Sequence, residues 1–347
     1  MRTIPTRLES HPELRRRLCA EAKRRGGLVL PYAPLEIFVD PTNICDLRCT
    51  FCPQSNWGER QRGFMSMELF ERVIAEVAVL KPRQLKLFCY GETLLHPQLP
   101  EMIHKAEETG VPVIIHTNAK RLDEEMARRI LDTPLSEICF SFDTADRDLY
   151  NRMRIRSDFD RVLGNIRRFL TLRQERGASR PQVILQEIIP FAPDKPCVNT
   201  PEYRQLFDGF DVRLDVRFLH SFAGASTESQ FETMRLSGTS PCHEIYHRLV
   251  IAFDGKVHAC CLDPEGHNII GDLAAGDTIT SAWNSPAMQR LRHLTQTGGM
   301  GAIAPCNQCH MLHHPYQKRR RFWRRIPARL LWWWYTRSLA PPAPPTP

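Results

Sequence analysis

Short apolar runs alternate along the first two thirds of the chain with segments whose apolar residues recur at helical spacing. The apolar runs predict strands over residues 35–39, 85–89, 111–116, 137–142, 183–189 and 212–219. The amphipathic segments predict helices over residues 67–80, 100–109, 123–131 and 159–176. Ser66 is placed as the N-cap of the first helix, and Gly110 and Gly177 follow two others, where helices commonly end. Apolar strands that alternate with helices indicate a parallel sheet.

This alternation predicts an α/β domain over residues 31–225, preceded by a basic helical leader over residues 1–30. Beyond about residue 225, Gly, Ser and Thr become frequent, and short strands and cysteines follow. We therefore expect a smaller, cysteine-rich α+β domain over residues 240–312. A basic, Trp-rich tail with a disordered, Pro-rich end is expected over residues 313–347.

Polar and sulfur-bearing residues follow four of the predicted strands. Because the carboxyl ends of parallel strands lie at one edge of the sheet, these residues predict a single functional face. They are Cys45, Cys49 and Cys52 after the first strand, Gly91 and Glu92 after the second, Thr117 and Asn118 after the third, and Ser141 with Asp143 at the end of the fourth.

Composition and charge fit a globular protein whose basic excess is local. Of the 347 residues, 42% are hydrophobic and 25% are charged, which is ordinary for a folded domain. The formal net charge of +8 comes from eight Lys and Arg residues after residue 317, a segment without Asp or Glu. The rest of the chain is balanced, which argues against a broad nucleic-acid-binding face.

The chain has twelve cysteines, several of them grouped as C-x3-C-x2-C and C-x2-C. With no N-terminal apolar signal segment, this grouping indicates metal ligation rather than secreted disulfides. The longest apolar run, residues 330–335, is too short to cross a bilayer. We therefore expect a cytoplasmic protein. Four cysteines have no cluster spacing and are interpreted as packing residues: Cys19, Cys89, Cys139 and Cys197.

The first cysteine group is Cys45, Cys49 and Cys52, which lie on one short loop. Three thiolates can bind three irons of a cubane cluster and leave the fourth iron open to a substrate or cofactor. The alternative is a structural zinc knuckle, which needs a fourth ligand. No Cys or His occurs within the ten residues after Cys52.

With Phe51 before its last cysteine, this loop resembles the motif of the radical SAM superfamily. The resemblance implies a partial (β/α)6 TIM-like barrel and a 4Fe–4S cluster whose open iron is chelated by S-adenosylmethionine. It also implies a reducing electron-donor protein and formation of a 5′-deoxyadenosyl radical.

The resemblance extends over about residues 45–190 and implies further cofactor contacts. Gly91, Glu92 and Thr93 are similar to the segment that receives the methionine amino group, although Tyr90 and Thr93 replace its usual Gly and Pro. The remaining contacts that it implies are Asn118 near the ribose, Ser141 and Asp143 at a strand end, and Arg154 on the methionine carboxylate. A turn Asn, a helix-capping Ser and a surface Arg are the alternatives.

The second cysteine set is Cys242, Cys260, Cys306 and Cys309, with an Asp-Gly hairpin turn at residues 254–255. Thiolate chemistry alone leaves zinc and iron–sulfur open. The layout resembles the SPASM/twitch extension of radical SAM enzymes, which implies one fully ligated auxiliary 4Fe–4S cluster that relays electrons or shapes the pocket. It is similar to the aminocyclitol dehydrogenases and, more distantly, to sulfatase maturases and peptide-modifying enzymes.

Three residues are candidates for the substrate chemistry. Cys260 lies at the spacing after the Asp-Gly turn at which the SPASM/twitch pattern has a ligand, and it is therefore preferred over Cys261 as the ligand. Cys261 is then either a hydrogen-atom donor or an inert buried thiol. Asp263 and Glu187 are candidate pocket acids, or an ordinary turn and strand residue, and neither is assigned as a base.

The tail combines Arg with Trp over residues 318–337. This pattern suits an anionic membrane surface at the inner face, nucleic acid, or a helix packed on its own domain.

The resemblance to radical SAM enzymes, and to the aminocyclitol dehydrogenases among them, implies an oxidoreductase that removes a hydrogen atom from a carbohydrate or cyclitol alcohol. A maturase that epimerises or cross-links a peptide is the alternative, although no leader-peptide-binding domain is evident before residue 30. A non-catalytic iron–sulfur or zinc protein that docks to membrane or RNA is the alternative of another class.

Overall fold

A computed structural model describes residues 12–57, 61–189, 199–218, 222–223, 225 and 242–309 of the chain. Its strands are β1 Glu36–Val39, β2 Arg48–Cys49, β3 Gln84–Lys86, β4 Val113–Thr117, β5 Glu137–Ser141, β6 Arg154–Ile155, β7 Gln182–Ile189, β8 Arg213–Phe218, β9 Arg248–Ile251, β10 Lys256–His258 and β11 Ile269–Asp272. Its α-helices are α1 Pro12–Arg25, α2 Met67–Leu80, α3 Leu99–Glu107, α4 Glu124–Leu131, α5 Arg147–Met153, α6 Phe159–Glu175, α7 Pro201–Gln205, α8 Ile279–Trp283 and α9 Pro286–Thr297.

Six parallel strands form the barrel in the order β1-β3-β4-β5-β7-β8. Each crossover passes through helical segments, with α2 between β1 and β3 and α6 before β7. This is the α/β partial barrel that the sequence predicts. Most residues of β1, β4, β5 and β7 are buried, and these strands therefore appear in the sequence as apolar runs. Edge strand β8 has no buried residue among residues 213–217.

The predicted helices form where apolar periodicity and capping coincide. The Ser66 hydroxyl accepts a hydrogen bond from the amide of Leu69 at 3.2 Å and starts α2, as the sequence predicts. Asp123 caps α4 in the same way through the amide of Met126 at 2.9 Å. The sequence interpretation missed the short helices α5, α7 and α8, because one or two turns give too little periodicity to detect, and it also placed no helix at α9.

The C-terminal strands extend the barrel sheet. Strand β9 pairs in parallel with β1, while β10 and β11 continue the sheet in antiparallel pairing. Gly255 has a φ of +91° in the β9–β10 turn, where the sequence predicts an Asp-Gly hairpin. The cysteine-rich region is thereby attached to the edge of the barrel next to the first cysteine loop.

Helix α1 packs between the barrel and the C-terminal region. Arg292 on α9 is fully buried, and its guanidinium donates to the carbonyls of Ile245, Trp283 and Leu28. The carbonyl of Tyr246 accepts hydrogen bonds from the Cys19 thiol at 3.1 Å and from the Tyr32 hydroxyl at 3.0 Å. These contacts join the N-terminal segment to the cysteine-rich region.

Among the described residues, no helix combines the length and the apolar character that crossing a membrane requires. The predicted tail over residues 313–347 and its membrane-binding segment lie outside the described residues, and so does Cys197.

Candidate cofactor sites

The first cysteine loop opens onto a polar cavity at the carboxyl ends of the barrel strands. The cavity, called here the main cavity, has a volume of ≈ 270 Å³, just below the roughly 300–1,000 Å³ of small-molecule sites. Eight of the predicted site residues line it together: Cys45, Cys49, Cys52, Gly91, Glu92, Asn118, Ser141 and Arg154. The convergence follows from the parallel topology, which brings successive strand ends to one edge.

The cysteine loop is held by backbone pairing to the segment that contains Arg154. Cys49 on β2 pairs with Arg154 on β6, and the amide of Thr50 donates to the carbonyl of Met153 at 2.9 Å. The guanidinium of Arg154 lies over the ring of Phe51, 5.6 Å from its centroid. The thiols of Cys45, Cys49 and Cys52 are free.

Arg154 reaches the cavity wall because Asp143 holds it from behind. The Asp143 carboxylate accepts hydrogen bonds from Arg154 Nε at 2.5 Å and Nη2 at 2.9 Å. Burial disfavours the guanidinium charge, but Asp143 outweighs it and raises the pKa of Arg154 well above its usual range. Asp143 is fully buried and does not line the main cavity. It is therefore a support for Arg154, whereas the resemblance implies a cofactor contact.

Glu92 lies at the cavity wall, where a fixed turn presents it. Its carboxylate accepts hydrogen bonds from the Thr117 hydroxyl at 2.6 Å, the Asn118 amide at 2.8 Å and the Leu94 amide at 3.1 Å. Burial nevertheless raises its pKa to about 7, since three neutral donors do not replace bulk water. Thr93 turns away from the cavity, and its hydroxyl donates to the carbonyl of Leu87 at 2.9 Å.

Gly91 passes so close to the cysteine-bearing segment that no side chain fits. A Cβ atom built on Gly91 would lie 1.9 Å from the carbonyl oxygen of Thr42. The Asp40 carboxylate accepts from the amides of Tyr90 at 3.1 Å and Gly91 at 3.4 Å and fixes the turn. Asn118 completes the contact, because its side-chain amide donates to Asp46 at 3.2 Å and lies 3.9 Å from the Cys45 sulfur.

Sequence reasoning missed eight further residues of the main cavity. They are Phe88, Cys89, Tyr90, His116, Gln186, Ile188, Arg217 and Phe222. The interpretation of Cys89 as a packing residue was therefore incomplete. His116 stacks on Phe88 with ring centroids 3.7 Å apart, and burial lowers its pKa well below the usual value, so the imidazole is neutral.

Glu187 faces away from the main cavity. Side chains alternate across a strand, so Gln186 and Ile188 face the cavity and Glu187 the opposite side. Its carboxylate accepts hydrogen bonds from the Asn199 side chain at 3.0 Å and from the amide and hydroxyl of Thr200 at 3.0 and 2.8 Å. It anchors the start of α7, and its interpretation as a pocket acid fails on this geometry.

The second cysteine set surrounds a separate, apolar cavity. Cys242, Cys260, Cys306 and Cys309 all line this small auxiliary cavity, which has a volume of ≈ 30 Å³. Apolar residues fill most of the remaining wall, among them Ile245, Leu262 and Met300. Cys261 lines neither cavity. A hydrogen bond from Cys260 outweighs burial and lowers the pKa of Cys261.

Asp263 organises the loop beside this cavity. Its carboxylate accepts from the amides of His267 at 3.0 Å and Asn268 at 2.7 Å, and from the Asn268 side chain at 3.3 Å. Asp263 lines the auxiliary cavity but not the main one. It is therefore a turn residue, one of the two sequence alternatives, and not an acid of the main cavity.

The cysteines at both cavities can supply the thiolate ligands that iron–sulfur clusters require. Four cysteines line the main cavity, three of them on the first cysteine loop, and four line the auxiliary cavity. Among the residues that the structure describes, no three His, Cys, Asp or Glu side chains are grouped to hold a single metal ion.

Comparison with known proteins agrees with this arrangement. Residues 39–179 match the family model described as "Radical SAM superfamily", and residues 242–310 match SPASM, an "Iron-sulfur cluster-binding domain". The chain is 30% identical over 148 residues to GTP 3′,8-cyclase of Chlorobaculum tepidum, covering 42% of this chain and 43% of that protein. It is 31% identical over 122 residues to PqqA peptide cyclase of Granulibacter bethesdensis, covering 35% of this chain and 32% of that protein. The matches thus span less than half the length of these curated relatives.

Two solved structures share the fold over most of the chain. Streptococcus suis SuiB bound to precursor peptide SuiA superposes with a TM-score of 0.61 and 14% identity, covering 86% of this chain and 74% of that one. BtrN in complex with AdoMet and 2-DOIA gives a TM-score of 0.53 and 15% identity, covering 79% and 92%.

The fold, the two cavities and the two family matches define an iron–sulfur enzyme of the radical SAM class. This chain belongs to the radical SAM superfamily and contains a C-terminal SPASM domain. Its cofactors are a 4Fe–4S cluster with S-adenosylmethionine in the radical SAM domain and auxiliary iron–sulfur in the SPASM domain. The family, fold and cofactors that the sequence predicts are thereby confirmed.

Proposed function

We propose that this enzyme is an oxidoreductase that removes a hydrogen atom from an alcohol carbon of a carbohydrate or cyclitol. The division of seven cysteines between two cavities is the main support. Cys45, Cys49 and Cys52 lie on one loop at the main cavity, which Cys89 on another segment also lines, and four others line the apolar auxiliary cavity. Three ligands leave one iron of a cubane cluster open, whereas four ligands complete its coordination.

The proposed ligands of the first cluster are Cys45, Cys49 and Cys52, and those of the auxiliary cluster are Cys242, Cys260, Cys306 and Cys309. When bound, the first cluster with S-adenosylmethionine would supply radical chemistry for hydrogen-atom removal at the main cavity, and the auxiliary cluster would supply an electron acceptor at the auxiliary cavity. Main-cavity residues then orient the cofactor and exclude water.

Glu92 and Arg154 are proposed to hold the two charged ends of the methionine moiety. Asp143 occupies the Nε–Nη2 edge of Arg154, so Nη1 remains for a second carboxylate. An ammonium group beside Glu92 would favour the ionised carboxylate that burial alone disfavours. Because Gly91 has no side chain, the turn that carries Glu92 can pack against the segment before Cys45. Asn118, which is proposed to lie near the ribose, contacts the Cys45 sulfur.

Polar side chains on the cavity wall support a substrate rich in hydroxyl groups. Gln186 and Arg217 line the barrel side of the cavity beside the neutral imidazole of His116. Oxidation of an alcohol to a carbonyl removes one hydrogen atom, one electron and one proton. The cofactors held at the main cavity and at the auxiliary cavity would supply the acceptors of the hydrogen atom and of the electron, and the proton would pass to solvent. No catalytic base is assigned, because neither Glu187 nor Asp263 lines the main cavity and both carboxylates accept hydrogen bonds from loop residues.

Deuterium transfer tests the substrate class. Reconstituted enzyme would be incubated with S-adenosylmethionine, dithionite and carbon-deuterated cyclitols or sugars, and 5′-deoxyadenosine analysed by mass spectrometry. The proposal predicts deuterium in 5′-deoxyadenosine together with a carbonyl product. Deuterium transfer only from labelled peptides would overturn it in favour of peptide modification. The electron-donor protein and the membrane association of residues 318–337 stay predictions.

A further inference from the structure

Tyr90 lies between the loops that bear the two cysteine groups. On one side its ring meets Trp57 edge to face, with centroids 6.1 Å apart. Trp57 ends the short 3-10 helix Pro53–Asn56, which directly follows Cys52. On the other side the ring lies 5.7 Å from that of His258, in the strand before Cys260.

The Tyr90 hydroxyl is directed at the backbone of the second loop. It lies 3.1 Å from the carbonyl oxygen of Asp263 and 3.4 Å from that of Cys260. It also lies 3.5 Å from His258 Nδ1. A phenol has one proton, so it donates to at most one of these three atoms at a time. Both carbonyls belong to the turn that presents the Cys260 sulfur to the auxiliary cavity.

The backbone of Tyr90 is tied to the first site. Its amide donates to Asp40 at 3.1 Å, and the next two residues are Gly91 and Glu92 on the main-cavity wall. Tyr90 lines the main cavity and also a third cavity, of ≈ 320 Å³, beside the β9–β10 hairpin and the segment that follows β1. Tyr90 therefore spans from the turn at one cofactor site to the turn at the other.

We propose that Tyr90 is a positioning residue that fixes the Cys260 turn against the barrel and sets the reduction potential of the auxiliary cluster. The proposal rests on the proposed ligation by Cys260. Hydrogen bonds near the ligands of an iron–sulfur cluster tune its potential, because a donor's positive end stabilises the added electron. Tyr90→Phe removes that dipole, keeps the ring that lines the main cavity, and should lower the auxiliary potential.

Potentiometric titration followed by electron paramagnetic resonance tests the redox part of the proposal. Tyr32→Phe is the matched control, because it removes another buried hydroxyl that bonds a backbone carbonyl, at 3.0 Å from Tyr246, and lines none of the cavities described here. We expect Tyr90→Phe to shift the auxiliary reduction equilibrium about threefold, or ~30 mV for a one-electron couple. The first cluster should keep its potential, and Tyr32→Phe should change neither.

Hydrogen exchange of the cofactor-free protein gives a readout that needs no cluster. Peptides covering residues 256–268 should exchange faster in Tyr90→Phe than in the wild type, and at the wild-type rate in Tyr32→Phe. An unchanged auxiliary potential or unchanged exchange in Tyr90→Phe would overturn the proposal. A wild-type protein that never holds a second cluster would instead contradict the proposed function, and the exchange measurement would still test the Tyr90 contact.

Discussion

Asp143 and Arg154 form a buried, two-bond ion pair behind the wall of the main cavity, with N–O distances of 2.5 and 2.9 Å. Their side chains are 0% and 8% exposed. Removal of one partner leaves a buried charge without compensation, which costs far more than the pair contributes.

Asp143→Asn should therefore lower the free energy of unfolding by about 3 kcal/mol and weaken binding of S-adenosylmethionine through the displaced Arg154. Urea denaturation and equilibrium binding measure the two effects. Glu124→Gln is the control, because Glu124 and Arg128 form an exposed pair on α4 at 2.7 Å, and such pairs contribute little. Equal losses in both variants would contradict the assignment of Asp143 as a buried support.

Gly91→Ala should destabilise the protein, since the new Cβ meets the backbone oxygen of Thr42 rather than a flexible side chain. We expect a loss of about 1–3 kcal/mol and weaker cofactor binding, because the turn that presents Glu92 must move. Gly164→Ala is the matched control: Gly164 is exposed on α6 with no atom within 4 Å of its Cβ position. That change should stabilise the helix by up to about 1 kcal/mol. A Gly91→Ala variant as stable as the control would refute the close approach.

The stability of the cofactor-free protein should depend on pH through Asp40. Burial, aided by the negative charge of Asp254, raises the pKa of Asp40 to about 7, above the usual value of 3.8. The folded state then binds more protons than the unfolded state between these values, so its stability is full below pH 4 and falls as pH rises to 7.

Asp40→Asn should remove this contribution, about 1.4 kcal/mol per pH unit over that window, while its amide oxygen can still accept from Tyr90 and Gly91. Urea denaturation at pH 5 and pH 8 compares the two slopes. Glu92, whose pKa is also about 7, contributes equally to both proteins and cancels from the difference. Identical slopes would contradict the burial of an ionisable Asp40.

Adjacent cysteines should differ in their effect on the auxiliary cluster. Cys260 lines the auxiliary cavity with the three other cysteines, whereas Cys261 does not. Cys260→Ala should lose about four irons per chain, and Cys261→Ala should lose none. Iron analysis after anaerobic reconstitution measures this, and the reverse pattern would move the ligand assignment to Cys261.

The sequence predicts most of the site because parallel strands end at one edge. That rule alone brings the cysteine loop together with Glu92, Asn118 and Ser141. It cannot predict that Asp143 lies behind Arg154, since the contact depends on a two-residue strand pair that has no periodic pattern. Glu187 illustrates another limit: both faces of its strand are buried, so alternation does not tell which face meets the cavity.

The hydrophobic periodicity of the sequence also does not predict the tertiary contacts of loops. In the sequence, Tyr90 is noted only because it replaces the usual Gly of the family segment. In the structure its side chain contacts the turn of Cys260, 170 residues away. Such a contact depends on β9 pairing with β1, a parallel pairing between distant segments that no local motif encodes.

The most direct test of the account is reductive cleavage of S-adenosylmethionine by anaerobically reconstituted protein. The wild type should hold roughly eight irons per chain and form 5′-deoxyadenosine only when dithionite is present. A variant with Cys45, Cys49 and Cys52 replaced by Ala should form none and keep the auxiliary cluster. A folded, fully iron-loaded wild type that never forms 5′-deoxyadenosine would contradict the account and favour a non-catalytic iron–sulfur protein.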